Sequence, residues 1–382
     1  MSTDSQNYLL PAGLADGLPP DAAFEAVMVE RLMAVFAAWG YERVKPPLIE
    51  FEDSLLSGPG AAMSAHTFRL MDPVSQRMMG LRADITPQVA RIAASRLKNS
   101  PRPLRLSYAG QVLRVRGEQM RPERQLGQAG TELVGAPSAE ADAEAVLLAV
   151  DALRQAGVPY LAVDLNLPTL TPSILAAHGV KERGVQEQAL LIGALDRKDV
   201  AAVRKLSGDS AILLEGLLRA VGPAKQALAK LNALDLPAPA AAQRQRLNEV
   251  VDLILSAAPD LPLTIDPTDH RGFEYHTGIT FSLLGRRVSG EFGRGGRYIN
   301  QAGEEATGFT LYLNTVLAAL PVPAAPRRIF LPRGTTPQQA ASLRADGWVT
   351  IQDLGLAAVD PAAEAKRLGC QHLWNGREVQ AL

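Results

Sequence analysis

Leu104–Val115, LRLSYAGQVLRV, and Leu126–Val134, LGQAGTELV, are the stretches on which the reading of the fold turns. The first alternates apolar and polar side chains, the period-two pattern of a strand with one face on a core. An arginine-rich, proline-containing loop running to Arg124 separates them, so the second run returns beside the first as a strand pair. Outward from this pair, further strands and helices follow without strict βα alternation. The pattern predicts an α+β fold with a mixed, largely antiparallel sheet flanked by helices, not a doubly wound one.

Before the pair, Phe24, Val27, Met28, Leu32, Val35 and Phe36 recur at spacings of three and four, an amphipathic helix over Asp21–Trp39 that Gly40 ends. Tyr41–Phe51 reads as a strand bent or ended by Pro46-Pro47. Thr67–Leu70 and Met78–Arg82 read as two strands about Asp72-Pro73, and Thr86-Pro87 opens a helix. After the pair, Ser138 caps a helix through Leu153 with Glu140, Asp142 and Glu144 near its start. Leu161–Leu165 is a short strand, and residues 170–260 form an alanine- and leucine-rich helical insertion. Strand character resumes at Leu263 and continues through Tyr275–Leu284, Arg287–Phe292 and Thr307–Leu313. The domain reading is a core over 1–322 and, after the Pro321–Pro326 linker, a small α/β domain over 326–382.

The chain has 382 residues, 39 basic against 40 acidic for a net charge of -1, so no global field exists to hold a polyanion. One cysteine, Cys370, excludes an internal disulfide and a cysteine-rich metal site. The five histidines show no HxxxH spacing, so no metal is expected. The N-terminus lacks the pattern of a secretory signal and no apolar run is long enough to span a bilayer, so a cytoplasmic protein with no membrane association is expected. Neither a GxxxxGK[ST] loop nor a GxSxG elbow occurs, and no cofactor is implied.

The order of motifs from about Leu9 to Leu320 resembles a class II aminoacyl-tRNA synthetase core, specifically the histidyl enzyme. Trp39–Val44 and Pro47–Glu50 resemble the first motif, which implies a homodimer. Leu81–Thr86 is similar to the LRPEGT segment, and Arg114 with Gln128–Glu132 to the second motif. Arg271–Gly278 (RGFEYHTG) is similar to the histidine-specific RGLDYYTG, and Gly295–Tyr298 to the GGRYD after it. A lone GGR is more often a turn than a site; two such motifs in family order carry the identification. The resemblance implies a pocket for free histidine in which Asp84, Thr86 and Gln128 hold the ammonium group, Arg114 and Arg271 the carboxylate, and Glu132 the imidazole N–H. Tyr275, His276 and Tyr298 would line the ring. Taken singly, Glu132 reads as a solvated strand residue, Arg114 as a surface charge and His276 as a partly buried histidine; together, in order, they read as a site.

The departures matter as much. Where the third motif ends in an arginine that clamps ATP, Gly308–Thr315 places Tyr312 at the glycine position and Thr315 at the arginine. The tail beyond Pro326 is also too short for the usual anticodon domain. These losses resemble the regulatory subunits of ATP phosphoribosyltransferase, synthetase paralogues that partner a short-form catalytic subunit. That resemblance implies a non-catalytic protein without catalytic residues, a homodimer within a hetero-oligomer, taking free histidine as effector and no tRNA. An active histidyl-tRNA synthetase, or an amino-acid-sensing module of another enzyme, are the alternatives.

Overall fold

The apolar stripe near the N-terminus folds as α1 (Asp21–Ala38) and buries Met28, Leu32, Val35 and Phe36; Gly40 follows with φ +85°. Pro46-Pro47 then divide the next run between two sheets: β1 (Glu42–Arg43) joins the main one, and β2 (Ile49–Phe51) joins a small one. A computed structural model describes residues 8–117, 122–178, 185–269, 275–286, 288, 290–355 and 360–382. The chain divides into two compact units, Met1–Leu320 and Pro321–Leu382.

In the first unit, α2 (Glu52–Leu55) and a 3₁₀ segment at Gly58–His66 lead to β3 (Arg69–Met71) and β4 (Met78–Leu81), antiparallel about the Asp72-Pro73 turn. Helix α3 (Thr86–Ala94) has Pro87 in its first turn, where the missing N–H costs nothing. The strand pair is β5 (Leu104–Leu113) and β6 (Gln125–Val134), in register from Leu104 opposite Val134 to Leu113 opposite Gln125. Helix α4 (Ala139–Ala156) follows, stopped by Gly157 at φ +95°. Ser138 occupies its N-cap position, but its hydroxyl accepts no capping N–H.

Strand β7 (Leu161–Asn166) precedes the insertion, which holds α5 (Leu170–Ala177), α6 (Val185–Asp196), α7 (Val200–Ser207), α8 (Ala211–Arg219), β8 (Gly222–Pro223), α9 (Ala224–Asn232) and α10 (Ala238–Ala257). Strand β8 pairs with β9 (Leu263–Asp266), so the insertion also extends the main sheet. Next come β10 (His276–Gly285), β11 (Gly293–Ile299), β12 (Glu305–Tyr312) and α11 (Leu313–Ala318). The strand expected at Arg287–Phe292 lies instead at Gly293–Ile299, and Arg287 is outside the described residues. Alternation could not place it, because Gly293, Gly295 and Gly296 give the run no apolar period; they pack tightly under neighbouring backbone and side chains.

The main sheet has the order β1-β5-β6-β12-β11-β10-β7-β9-β8; β1·β5 and β7·β9 are parallel and the other pairs antiparallel. Helices α1 and α4 cover one face, burying Ala129, Leu133, Phe281, Phe309 and Leu311 of the strands with their own apolar residues. On the other face, α3 buries Ile85, Val89 and Ala93 against Leu106, Tyr108, Leu126 and Tyr298. Burial of this kind contributes about 25 cal/mol per Å² of apolar surface.

The second unit pairs β13 (Arg328–Leu331) in parallel with β14 (Val349–Gln352) and with β15 (His372–Trp374), and β16 (Val379–Ala381) closes the edge antiparallel to β15. Helices α12 (Pro337–Ala345) and α13 (Pro361–Arg367) accompany the sheet; Thr336 and Gln339 form a capping box at the first.

Candidate functional site

Side chains of successive even-numbered residues on β6 and β12 face away from the α1/α4 layer, so Gln128, Gly130 and Glu132 share a face with Gly308, Thr310 and Tyr312. Register sets Glu132 beside Gly308, Gly308 beside Gly296, and Thr310 beside Arg294. A Cβ on Gly308 would stand 2.3 Å from a Glu132 carboxyl oxygen, and one on Gly130 would stand 2.5 Å from the Tyr108 hydroxyl. Bare glycine at these positions leaves a cup in the sheet with large polar side chains rising around it.

The cup encloses about 160 Å³. At the roughly 30 Å³ that a water occupies in the liquid it has room for about five waters, or one small metabolite. Asp84, Thr86, Arg114 and Glu132 stand around it with Tyr275, His276 and Tyr298. Ala62, Met63 and His66 of the 3₁₀ segment form a further wall.

The acidic side is held rigidly. Gln128, fully buried, donates from Nε2 to Asp84 Oδ2 at 3.0 Å and accepts the Ile85 N–H at 3.1 Å, while the Thr86 N–H donates to Asp84 Oδ1 at 2.9 Å. Gln128 therefore stands behind the wall and fixes Asp84. The Tyr108 hydroxyl links Thr86, at 3.0 Å, to Thr310, at 2.7 Å. Arg114 is buried, with Nε 3.4 Å from the Ala83 carbonyl it donates to.

Glu132 is 1% exposed and its Oε2 accepts the Tyr298 hydroxyl at 2.9 Å. Burial pushes its pKa up to about 8, and the Asp84 carboxylate adds to the rise; the Thr86 and Tyr298 hydroxyls pull the other way. Burial also raises the phenols of Tyr108, Tyr275 and Tyr298, so all three stay neutral donors. Tyr275 stacks on His276 at 4.2 Å and meets Tyr298 edge-on at 5.7 Å. An acidic, hydroxyl-rich wall, an aromatic wall and a buried guanidinium suit a small ligand with both a cationic and an anionic group.

Of the nine residues the sequence pointed to, Arg271 lies outside the described residues, Gln128 sits one layer back, and the other seven face the cup. Sequence reading missed Tyr108, Arg294, Gly308 and Thr310. Their signal is strand register, which becomes visible only once β5, β6, β12 and β11 are aligned. Arg297 of the GGRY run points to the opposite face, where Nε bonds Asp142 Oδ1 at 3.0 Å and Nη1 bonds Glu305 Oε2 at 2.8 Å. Thr315 is buried on α11 and brings no charge.

The family model described as histidyl-tRNA synthetase matches residues 13–316. A protein of Paramagnetospirillum magneticum named ATP phosphoribosyltransferase regulatory subunit is 56% identical over 372 residues, covering 97% of each chain. One of the same name from Rhodospirillum centenum is 56% identical over 375 residues, covering 98% of this chain and 96% of the relative. Among solved structures, an ATP phosphoribosyltransferase regulatory subunit/histidyl-tRNA synthetase from Bacillus halodurans superposes with TM-score 0.80 at 24% identity, over 96% of this chain and 97% of the other. Histidyl-tRNA synthetase from Nostoc gives TM-score 0.76 at 18% identity, over 96% and 91%. The fold is accordingly the class II synthetase-like mixed sheet flanked by helices.

Proposed function

Since the chain belongs to the ATP phosphoribosyltransferase regulatory subunits, a family built on the histidyl-tRNA synthetase core, we propose that it is the non-catalytic subunit of that transferase in the first step of histidine biosynthesis, and that its cup binds free histidine as the feedback inhibitor. The partner is a short-form catalytic chain, and the subunit works in the cytoplasm as a homodimer within a hetero-oligomer. No helix among the described residues is long and apolar enough to cross a membrane.

One observation carries the reading: Asp84, Thr86, Arg114, Glu132, Tyr275, His276 and Tyr298 line one cup, while Thr315 occupies the position of the phosphate clamp. Asp84 and Thr86, with Gln128 fixing Asp84, take the ammonium group; Arg114 and Arg271 take the carboxylate; Glu132 accepts the imidazole N–H between the rings of Tyr275, His276 and Tyr298. Thr315, uncharged and buried, stands where ATP activation needs a guanidinium. For the homodimer, support comes from Leu48, Ile49, Met71 and Met78, which are exposed in and beside the small sheet that follows the first motif.

The test mixes the purified chain with a short catalytic subunit from the same organism. Phosphoribosyl transfer is expected to rise on addition of this chain, and the chain alone is expected to give no histidine-dependent pyrophosphate exchange. Measurable exchange would restore the synthetase reading, and an unchanged transfer rate would remove the regulatory one.

A further inference from the structure

The side chains that β12 turns into the cup grow along the strand: Gly308 has none, Thr310 is small and Tyr312, the last residue, is large. Register places them in three rows, Gly308 beside Glu132, Thr310 beside Gly130 and Tyr312 beside Gln128. Successive rows are two residues apart, roughly 7 Å along the strand. The floor is therefore bare at the Glu132 end and obstructed at the Gln128 end.

The head group of an amino acid belongs to the obstructed end. Gln128 Nε2 holds Asp84 at 3.0 Å, and Arg114 Nε reaches the carbonyl of Ala83, the residue before Asp84, at 3.4 Å. An ammonium group and a carboxylate on one α-carbon thus meet Asp84 and Arg114 from a single position, with Tyr312 beside them on the neighbouring strand. That ring is held in place. Tyr312 is 4% exposed, its N–H donates to the Phe292 carbonyl at 2.8 Å, and helix α11 starts at the next residue, the buried Leu313. The phenol also reaches the aromatic wall: after burial and the Asp84 and Glu132 carboxylates, it adds to the rise of the Tyr275 phenol. A ring between the head-group row and that wall closes the cup behind the ligand's carboxyl.

We propose that Tyr312 is the specificity determinant that limits the cup to amino acids with an unsubstituted carboxyl, its ring filling the space that an ester or amide substituent would take. The proposal rests on the reading of the cup as a site for a free amino acid and deepens it by naming what the site refuses.

Histidinamide and histidine benzylamide test it, since neither has the carboxylate charge and they differ only in the bulk carried at that end. Each is titrated calorimetrically into the full-length chain, and a cooperative thermal melt certifies that each variant is folded. Wild type is expected to bind the simple amide roughly tenfold or more tightly than the benzylamide, the scale of forcing extra atoms into a filled site. Tyr312→Ala is expected to bring the two within about threefold, and Tyr312→Phe, which keeps the ring, to retain the wild-type preference. Should wild type bind neither amide measurably, binding of the benzylamide by Tyr312→Ala supports the assignment and its absence refutes it. A benzylamide that binds wild type as well as the simple amide does, a preference that Tyr312→Ala leaves unchanged, or one that Tyr312→Phe abolishes would overturn the proposal. If Tyr312→Ala does not melt cooperatively, Tyr312→Val carries the same comparison. Failure of wild type to bind free histidine would sink the amino-acid reading itself, an outcome distinct from these.

Discussion

Burial holds the Glu132 carboxyl protonated up to about pH 8, whereas an unfolded chain releases that proton near the ordinary value of 4.5. Below 4.5 both states keep the proton and the contribution to stability is complete. As pH rises through this window the folded state binds more protons than the unfolded one, so stability falls, and it levels off above about 8. At about 1.4 kcal/mol per pKa unit the descent is on the order of a few kcal/mol. Melting curves of ligand-free protein at a series of pH values check this: Glu132→Gln is expected to flatten the descent, and parallel slopes in variant and wild type would contradict the assignment. At this scale the sequence showed much. Asp84, Thr86, Arg114, Glu132 and His276 were legible because each sits in a motif with its own order and spacing. Arg294 and Tyr108 were not, because a lone arginine or tyrosine in an alternating run says only which face it takes.

Strand β12 shows what an element contributes. Its Gly308 is required by its neighbours, since a Cβ there would stand 2.3 Å from Glu132 Oε2 and 2.2 Å from the Thr131 carbonyl oxygen. The carbonyl belongs to the sheet ladder and cannot yield cheaply. Gly308→Ala is therefore expected to cost about 1–3 kcal/mol, a drop of a few degrees in melting temperature, and to abolish histidine binding by displacing the Glu132 carboxyl. Calorimetry and a thermal melt check both; wild-type behaviour in each would remove the packing argument. The long helices and alternating strands were readable from period alone. The glycine-rich β11 was displaced by several residues in the sequence reading, since its stability comes from pairing with β10 and β12 and not from side-chain pattern. Strands β15 and β16, three residues each, are too short to show a period, and β8 exists only through its partner β9.

On the scale of the whole molecule, one chain carries a cup lined by acidic, basic and aromatic side chains, with Thr315 at the position where the resembled third motif has its arginine. Allostery requires two distinct sites and a coupling free energy between them, and on this account the second site belongs to the catalytic partner. The overall architecture was legible because motif order, from Trp39 to Tyr298, fixes which strands must neighbour one another; the surface that meets the partner was not, because interface residues obey no period. The most direct measurement is a histidine titration of phosphoribosyl transfer by the reconstituted complex, carrying either the wild-type chain or Glu132→Ala. Losing the acceptor for the imidazole N–H costs on the order of 1–3 kcal/mol, so half-inhibition by the variant complex is expected to need roughly tenfold more histidine or beyond. An inhibition curve that coincides with wild type would contradict the account and put the effector site elsewhere.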